Sequence, residues 1–186
     1  KPQTREHLLT FFWPDQDRAA AQQVLRTTLH GLRKALGSAL VVEEDTLAIA
    51  PEVAVDVRVF EAQLANLTSN LQPSTPNVQH LTATLQLYRG DFLSDFVLGD
   101  AAEFDDWAFG QQEHYRRLAV RGYVTLSALH EQQGDYAAAL DALDRALKFD
   151  RLQEDLQRAA LRLHYLAGDR AGAIRRYESL RKLLDE

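Results

Sequence analysis

The 186-residue chain has no cysteine, no methionine and no long apolar run. Without cysteine it can form no disulfide, thiolate metal site or cysteine nucleophile, and a reducing, cytoplasmic setting is the simplest expectation. Its longest apolar runs, such as Leu47 to Pro51, are about five residues, against the ~20 a membrane span needs. No secretory signal pattern is present, so no membrane partner is expected. The start at Lys1 and the lack of any methionine read as a piece of something longer. A hydrophobic content of 46% suffices for one good core or two small ones, which argues against disorder.

Signatures of catalysis are missing too. The six histidines show no metal-ligand spacing, no glycine-rich phosphate loop precedes a helix, and no serine sits in a nucleophile-elbow pattern. No catalytic residue, metal or cofactor is therefore expected, and the chain reads as a non-enzyme. The carboxylates of Glu103 to Trp107 (EFDDW) fall where a helix start favours acids through its dipole. Arg89 to Asp91 (RGD) reads as a capped, packed turn.

What is present begins with a repeat. Leu129 to Leu140 (LHEQQGDYAAAL) realigns with Leu163 to Ile174 (LHYLAGDRAGAI) at a spacing of 34, the tetratricopeptide period. Gly134 and Gly168 suit the tight break between antiparallel helices, Asp135 and Asp169 can cap the helices that follow, and the alanines permit close approach. Helices are predicted near residues 120–133, 136–149, 152–167 and 170–184. His130 and His164 occupy equivalent positions, which marks them as scaffold rather than ligands.

Upstream, Val59, Phe60, Leu64, Leu67 and Leu71 recur at helical spacing. Gln72 to Pro76 (QPSTP) reads as a flexible connection, and a helix resumes at Asn77 with Val78, Leu81, Leu85 and Tyr88 on one stripe. Arg89 to Asp100 is too broken for a helix, yet its Phe92, Leu93, Phe96, Val97 and Leu98 are expected to tuck between helices as a packed loop. A long helix is expected from close to Glu103, leading into the repeat. Residues 57–186 thus read as one all-helical domain.

Residues 1–56 follow a different pattern. Thr4 is a candidate N-cap for a short helix with Leu8, Leu9, Phe12 and Trp13 facing a core, ended by Pro14. Asp15 or Asp17 can cap the next helix, Arg18 to Leu36. Two short strands, Leu40 to Glu43 and Leu47 to Ala50, flank an acidic turn. Helix, turn, helix, hairpin is the order of a winged helix-turn-helix, in which the second long helix enters a major groove.

The second helix is amphipathic in an informative way. Ala21, Leu25, Thr28, Leu29, Leu32 and Leu36 form its apolar stripe; Arg18, Gln22, Gln23, Arg26, Thr27, His30, Arg33 and Lys34 lie elsewhere, and Arg18 to Gly37 contains no acid. Glutamine can pair with an adenine edge and arginine with a guanine edge, while Arg33 and Lys34 suit phosphates. The alternative is a solvated helix face. Residues 1–57 carry six Lys/Arg against eight Asp/Glu, so the DNA reading rests on charge segregation, not on bulk charge.

These motifs in order, from TREHLLTFFWPDQDRAAAQQVLRTTLHGLRKALG through DVRVFEAQL and LYRGDFLSDF to the repeats, resemble a SARP-type bacterial transcriptional activator over essentially the whole chain. The resemblance implies a mainly α fold: a partial winged helix-turn-helix with a short β-hairpin (1–56), then an all-helical, TPR-like bacterial transcriptional activator domain (57–186). It implies a cytoplasmic regulator that binds double-stranded promoter DNA, with RNA polymerase subunits, a signalling domain or a second protomer as partners of the helical half. Carried over by position, Arg26, Arg33 and Lys34 match the family's recognition helix. The chain departs from the family in opening just before the second winged-helix helix, and in placing Gln22 and Val24 where a basic residue and an asparagine are common. Its hairpin turn, Glu43 to Thr46, lacks glycine and positive charge and would repel phosphate. The competing expectation is an interaction or signalling module of a larger protein whose amino-terminal half is structural and never touches DNA.

Overall fold

The computed structural model describes residues 2–69 and 75–185. These residues hold eight α-helices and one small sheet. They group into two compact units: residues 1–55 with 92–112, and residues 56–91 with 113–186. The segment 92–112, read from sequence as part of the helical domain, groups with the amino-terminal residues.

In the first unit, strand β1 (Gln3–Thr4) leads directly into helix α1 (Arg5–Phe12). Thr4 caps α1, its side chain accepting from the His7 amide at 3.2 Å. Asp17 caps helix α2 (Arg18–Leu36), one carboxylate oxygen accepting from the Ala19 and Ala20 amides at 3.0 and 3.2 Å. Gly37, at φ 55, ends α2 in a backbone region that side chains disfavour. A short 3-10 turn, Gly37–Ala39, then feeds β2 (Leu40–Val42) and β3 (Thr46–Ile49). The sheet is antiparallel in the order β1-β3-β2, with Thr4 opposite Thr46, Gln3 opposite Leu47, and Val42 on the other side of Leu47. β1 was not foreseen, because two residues cannot display an alternation.

The first unit has two apolar clusters. Leu9, Ala21, Leu25, Leu29 and Leu47 pack with the half-buried Leu8, Trp13 and Val42. Ala101, Phe104 and Ala108 pack with Phe11, Phe12 and Leu98. The Phe11 and Phe12 rings lie 5.9 and 5.5 Å from that of Phe104, and Phe11 lies 6.0 Å from Trp107, distances typical of favourable aromatic pairs. The expected stripe on α2 is therefore only half used. Leu32 and Leu36 are 39% and 42% exposed and Thr28 is exposed, because the cluster with α1 and the sheet ends at Leu29. The loop before residue 102 is also less packed than expected. Phe92 and Leu98 are half-buried, but Leu93, Phe96 and Val97 face solvent.

In the second unit, α3 (Asp56–Ser69) and α4 (Thr75–Leu85) pack as a pair, and Phe60, Leu64, Val78, Leu81 and Leu85 are buried. The expected connection Gln72 to Pro76 lies largely outside the described residues. Thr75 and Pro76 instead open α4, since proline is tolerated in a first turn where its missing N–H is not needed. α5 (Ala102–Gln132) is one continuous helix, whose residues 113–132 belong to this unit. Gly122 is a close-approach point: a Cβ there would sit 2.7 and 3.1 Å from the Leu85 and Leu64 side chains. Then follow α6 (Tyr136–Ala146), α7 (Glu154–Leu166) and α8 (Arg170–Leu184). Ala139, Leu143, Ala146, Leu147, Leu156, Ala160 and Leu163 form a core between α6 and α7, against which Val120 and Tyr123 of α5 also pack. Both breaks have glycine in the left-handed region, Gly134 at φ 75 and Gly168 at φ 72.

Candidate nucleic-acid interface

Burial of Ala21, Leu25 and Leu29 against α1 and the sheet fixes the rotation of α2, and with it the side that faces water. Arg18, Gln22, Gln23, Arg26, Thr27, His30, Arg33 and Lys34 are all exposed. At 100° per residue Arg18, Gln22, Arg26 and Arg33 form one strip, and Gln23, Thr27, His30 and Lys34 form its neighbour. The two strips make a continuous polar surface, rich in hydrogen-bond donors, without an acid on the helix.

Internal bonds occupy part of this surface. Arg18 Nη2 meets Glu6 Oε2 of α1 at 2.8 Å; with both side chains more than half exposed the pair contributes little stability but commits one cation locally. Thr27 donates to the Gln23 carbonyl at 3.0 Å, while Arg26 approaches Gln23 Oε1 only at 3.5 Å. Gln22 and Arg26 also line a cleft of about 250 Å³ between α1 and α2, together with Arg5, Glu6 and Asp45.

Sequence reasoning missed Arg5. Its backbone N–H donates to the Asp45 carbonyl at 3.0 Å, and its Nε is buried with no hydrogen-bond partner among the described residues. The available signal was its position: a cation as the first residue of a helix opposes the helix dipole and calls for another reason to be there. The hairpin tip is acidic as expected, with Glu43, Glu44 and Asp45 exposed, and the Thr46 hydroxyl donates to Glu43 Oε2 at 3.3 Å. An anion can therefore be accepted along α2 but not at the tip.

The other singled-out groups have structural partners. Asp91 of the Arg89 to Asp91 turn accepts from Arg116 through two nitrogens and from the Tyr88 hydroxyl at 2.8 Å. The Arg116 hydrogen bonds hold the Asp91 carboxyl below its usual range, and burial, with Asp91 beside it, pushes the Tyr88 phenol well up. Glu103 and Asp105 lie in the first turn of α5, where Asp105 Oδ1 accepts from the Leu98 amide at 3.1 Å. His164 Nδ1 lies 3.0 Å from Asp169 Oδ2, whereas His130 Nδ1 is buried with no partner among the described residues. No helix among the described residues is long and apolar enough to cross a membrane.

A search of curated proteins found no match to the chain. Comparison with protein families matches residues 55–186 to the bacterial transcriptional activator domain. The match takes in α3 to α8 with the intervening loop, most of the chain, and so the chain belongs to the bacterial transcriptional activator domain family.

Proposed function

We propose that the chain is a DNA-binding transcriptional regulator of the activator type, not an enzyme, and that residues 1–56 are a partial winged helix reading double-stranded promoter DNA with α2. The observation that carries this reading is the acid-free, fully exposed face of α2, in a chain of an activator family. In this reading Gln22, Gln23 and Arg26 address base edges, Thr27 and His30 flank them, Arg33 and Lys34 hold phosphates, and Arg18, tied to Glu6, borders the face. The TPR-like helical half engages protein partners in the cytoplasm, among them polymerase subunits, a signalling domain or a second protomer.

The test is fluorescence-anisotropy titration of the whole chain with promoter DNA from its own locus at two salt concentrations. Binding is expected to weaken steeply with salt, since each phosphate contact releases counterions. Arg26→Ala should cost about 1–3 kcal/mol at the specific site, and Lys34→Ala should weaken all DNA evenly and lower the salt slope by about 1. Unchanged specific affinity in Arg26→Ala would remove α2 as the reader. The exposed acids at the hairpin tip favour a second reading, in which the amino-terminal half is structural and the chain is purely an interaction module. Absence of binding at both salt concentrations would favour that second reading.

A further inference from the structure

The two histidines of the repeat have different surroundings. His164 is tied to Asp169, whereas His130 lines a cleft of about 360 Å³ whose other residues come from α4, the turn after it, α5 and α6. The lining falls between Thr82 and Arg145, wholly within the second unit. Part of it is apolar: Leu85 and Leu126 are buried, and the half-buried Tyr88 and Tyr123 bring two aromatic rings. The rest is polar. Thr82 and Tyr88 donate their hydroxyl protons to the Val78 carbonyl and to Asp91, each at 2.8 Å, which leaves their oxygens as acceptors. Gln86, exposed on the cleft, brings both a donor and an acceptor. His130 Nδ1 is buried with no partner among the described residues, which leaves Nε2 as its nitrogen for a ligand.

Charge around the cleft is balanced. Its own two ions, Asp141 and Arg145, are paired at 2.9 Å with both side chains more than half exposed. Asp91, bonded to Tyr88, is held by Arg116; Glu131, next to His130, is held by Arg162; Asp135 caps the Ala138 amide. Arg89, Asp144 and Lys148, close by in sequence, do not line it. We propose that this cleft binds a small, flat, uncharged heteroaromatic molecule of the nucleobase type. The tyrosine rings and buried leucines suit a flat apolar body, and the donors and acceptors of Gln86, Thr82, Tyr88 and His130 suit a polar edge. A net charge on the ligand would be desolvated without an unpaired opposite charge to meet it. The volume lies at the small end of the ~300–1,000 Å³ typical of small-molecule sites, which fits one ring or two fused rings better than a peptide helix. This inference goes beyond the DNA reading and does not rest on it.

The probes are adenine and nicotinamide, both flat and uncharged at neutral pH, with benzoate as a flat anion and cyclohexanecarboxamide as an uncharged amide without a flat ring. Each is titrated into the whole isotope-labelled chain without DNA and followed by NMR, so failure here leaves the DNA reading standing and failure of DNA binding leaves this cleft standing. Saturable amide shifts are expected with adenine or nicotinamide, confined to residues 82–88, 123–130 and 138–145, with half-saturation below about 1 mM. Gln86→Leu should weaken binding about tenfold by leaving the ligand's polar edge unpaired. Ala138→Trp should abolish it by filling the cleft. An unchanged circular dichroism melt checks that the variants fold, and the exposed Gln86 position carries the test if the tryptophan disturbs α6. No saturation with either heteroaromatic, equal affinity for benzoate or cyclohexanecarboxamide, or unchanged affinity in Gln86→Leu would each overturn the proposal.

Discussion

Asp135 and Asp169 have nearly the same backbone geometry, φ −86 and ψ 75 in one and φ −85 and ψ 72 in the other, and each accepts a hydrogen bond from the amide three residues on. Before each stands a left-handed glycine, and each aspartate's own amide donates to the carbonyl of a histidine at 2.9 Å. The two breaks are thus the same at the level of backbone. Their histidines nevertheless differ. Gly172 leaves the space in which His164 reaches Asp169; a Cβ there would lie 2.0 Å from the Asp169 oxygen and 2.5 Å from the His164 ring nitrogen. The first hairpin has Ala138 at the corresponding position, and its His130 makes no such contact among the described residues. A repeat motif fixes the turn, and one methyl group decides what the polar side chains beside it can do.

The comparison can be broken most severely in the helices that follow the turns, at Leu143 of α6 and at Tyr177, 34 residues on, in α8. Leu143→Ala empties a site that is 2% exposed and should cost about 3 kcal/mol of stability in urea unfolding. Tyr177→Ala, the equivalent change in the second hairpin, should stay within about 0.5 kcal/mol because the side chain faces water. Similar costs would mean that α8 is covered.

Changing the turns should reveal their likeness. Gly134→Ala and Gly168→Ala each force a side chain into the left-handed region and should each destabilise by about 1 kcal/mol. A large difference between them would show that the shared geometry conceals different strain. Exchanging the residues three positions after the caps should separate the hairpins again. Gly172→Ala gains helix propensity but crowds His164 and Asp169, for a net loss of about 1 kcal/mol, whereas Ala138→Gly loses about the same through propensity alone. Only the first change should alter the His164 ring signals in NMR.

The smallest expected effect is in acid. The Gly172 amide, and then His164, hold the Asp169 carboxyl below its usual range. A carboxyl lowered in the folded state adds stability above the unfolded carboxylate range and loses it as pH falls through the folded value. Asp169→Asn should therefore flatten the acid limb of a stability–pH curve while shifting the neutral plateau in parallel. An unaltered acid limb would show that Asp169 gains nothing from its charged form.

Much of this was legible because it is local. The glycine-aspartate breaks, the Thr4 cap and the cap at Asp15 or Asp17 are each set by a few neighbouring residues, and the 34-residue spacing ties the two breaks together in the sequence itself. What stayed hidden depended on residues far apart. Phe11 and Phe12 meet Phe104 across about ninety positions, which no periodicity can reveal, and that packing groups residues 92–112 with the amino-terminal unit. Leu32, Leu36 and Val97 are as apolar as their buried neighbours, and only the end of the packed cluster separates them. At the candidate interface, amphipathicity exposed the face of α2, while the Arg18 to Glu6 tie and the cleft at Arg5 needed α1 in place.

Thr4 serves two neighbours at once: its backbone pairs with Thr46 of the hairpin, and its hydroxyl caps α1. Peeling the strand from the hairpin therefore also uncaps the helix, which joins them in a single opening event rather than two independent frays. Native-state hydrogen exchange would register that union as one shared protection factor for the amides of His7 and the β1-β3 ladder.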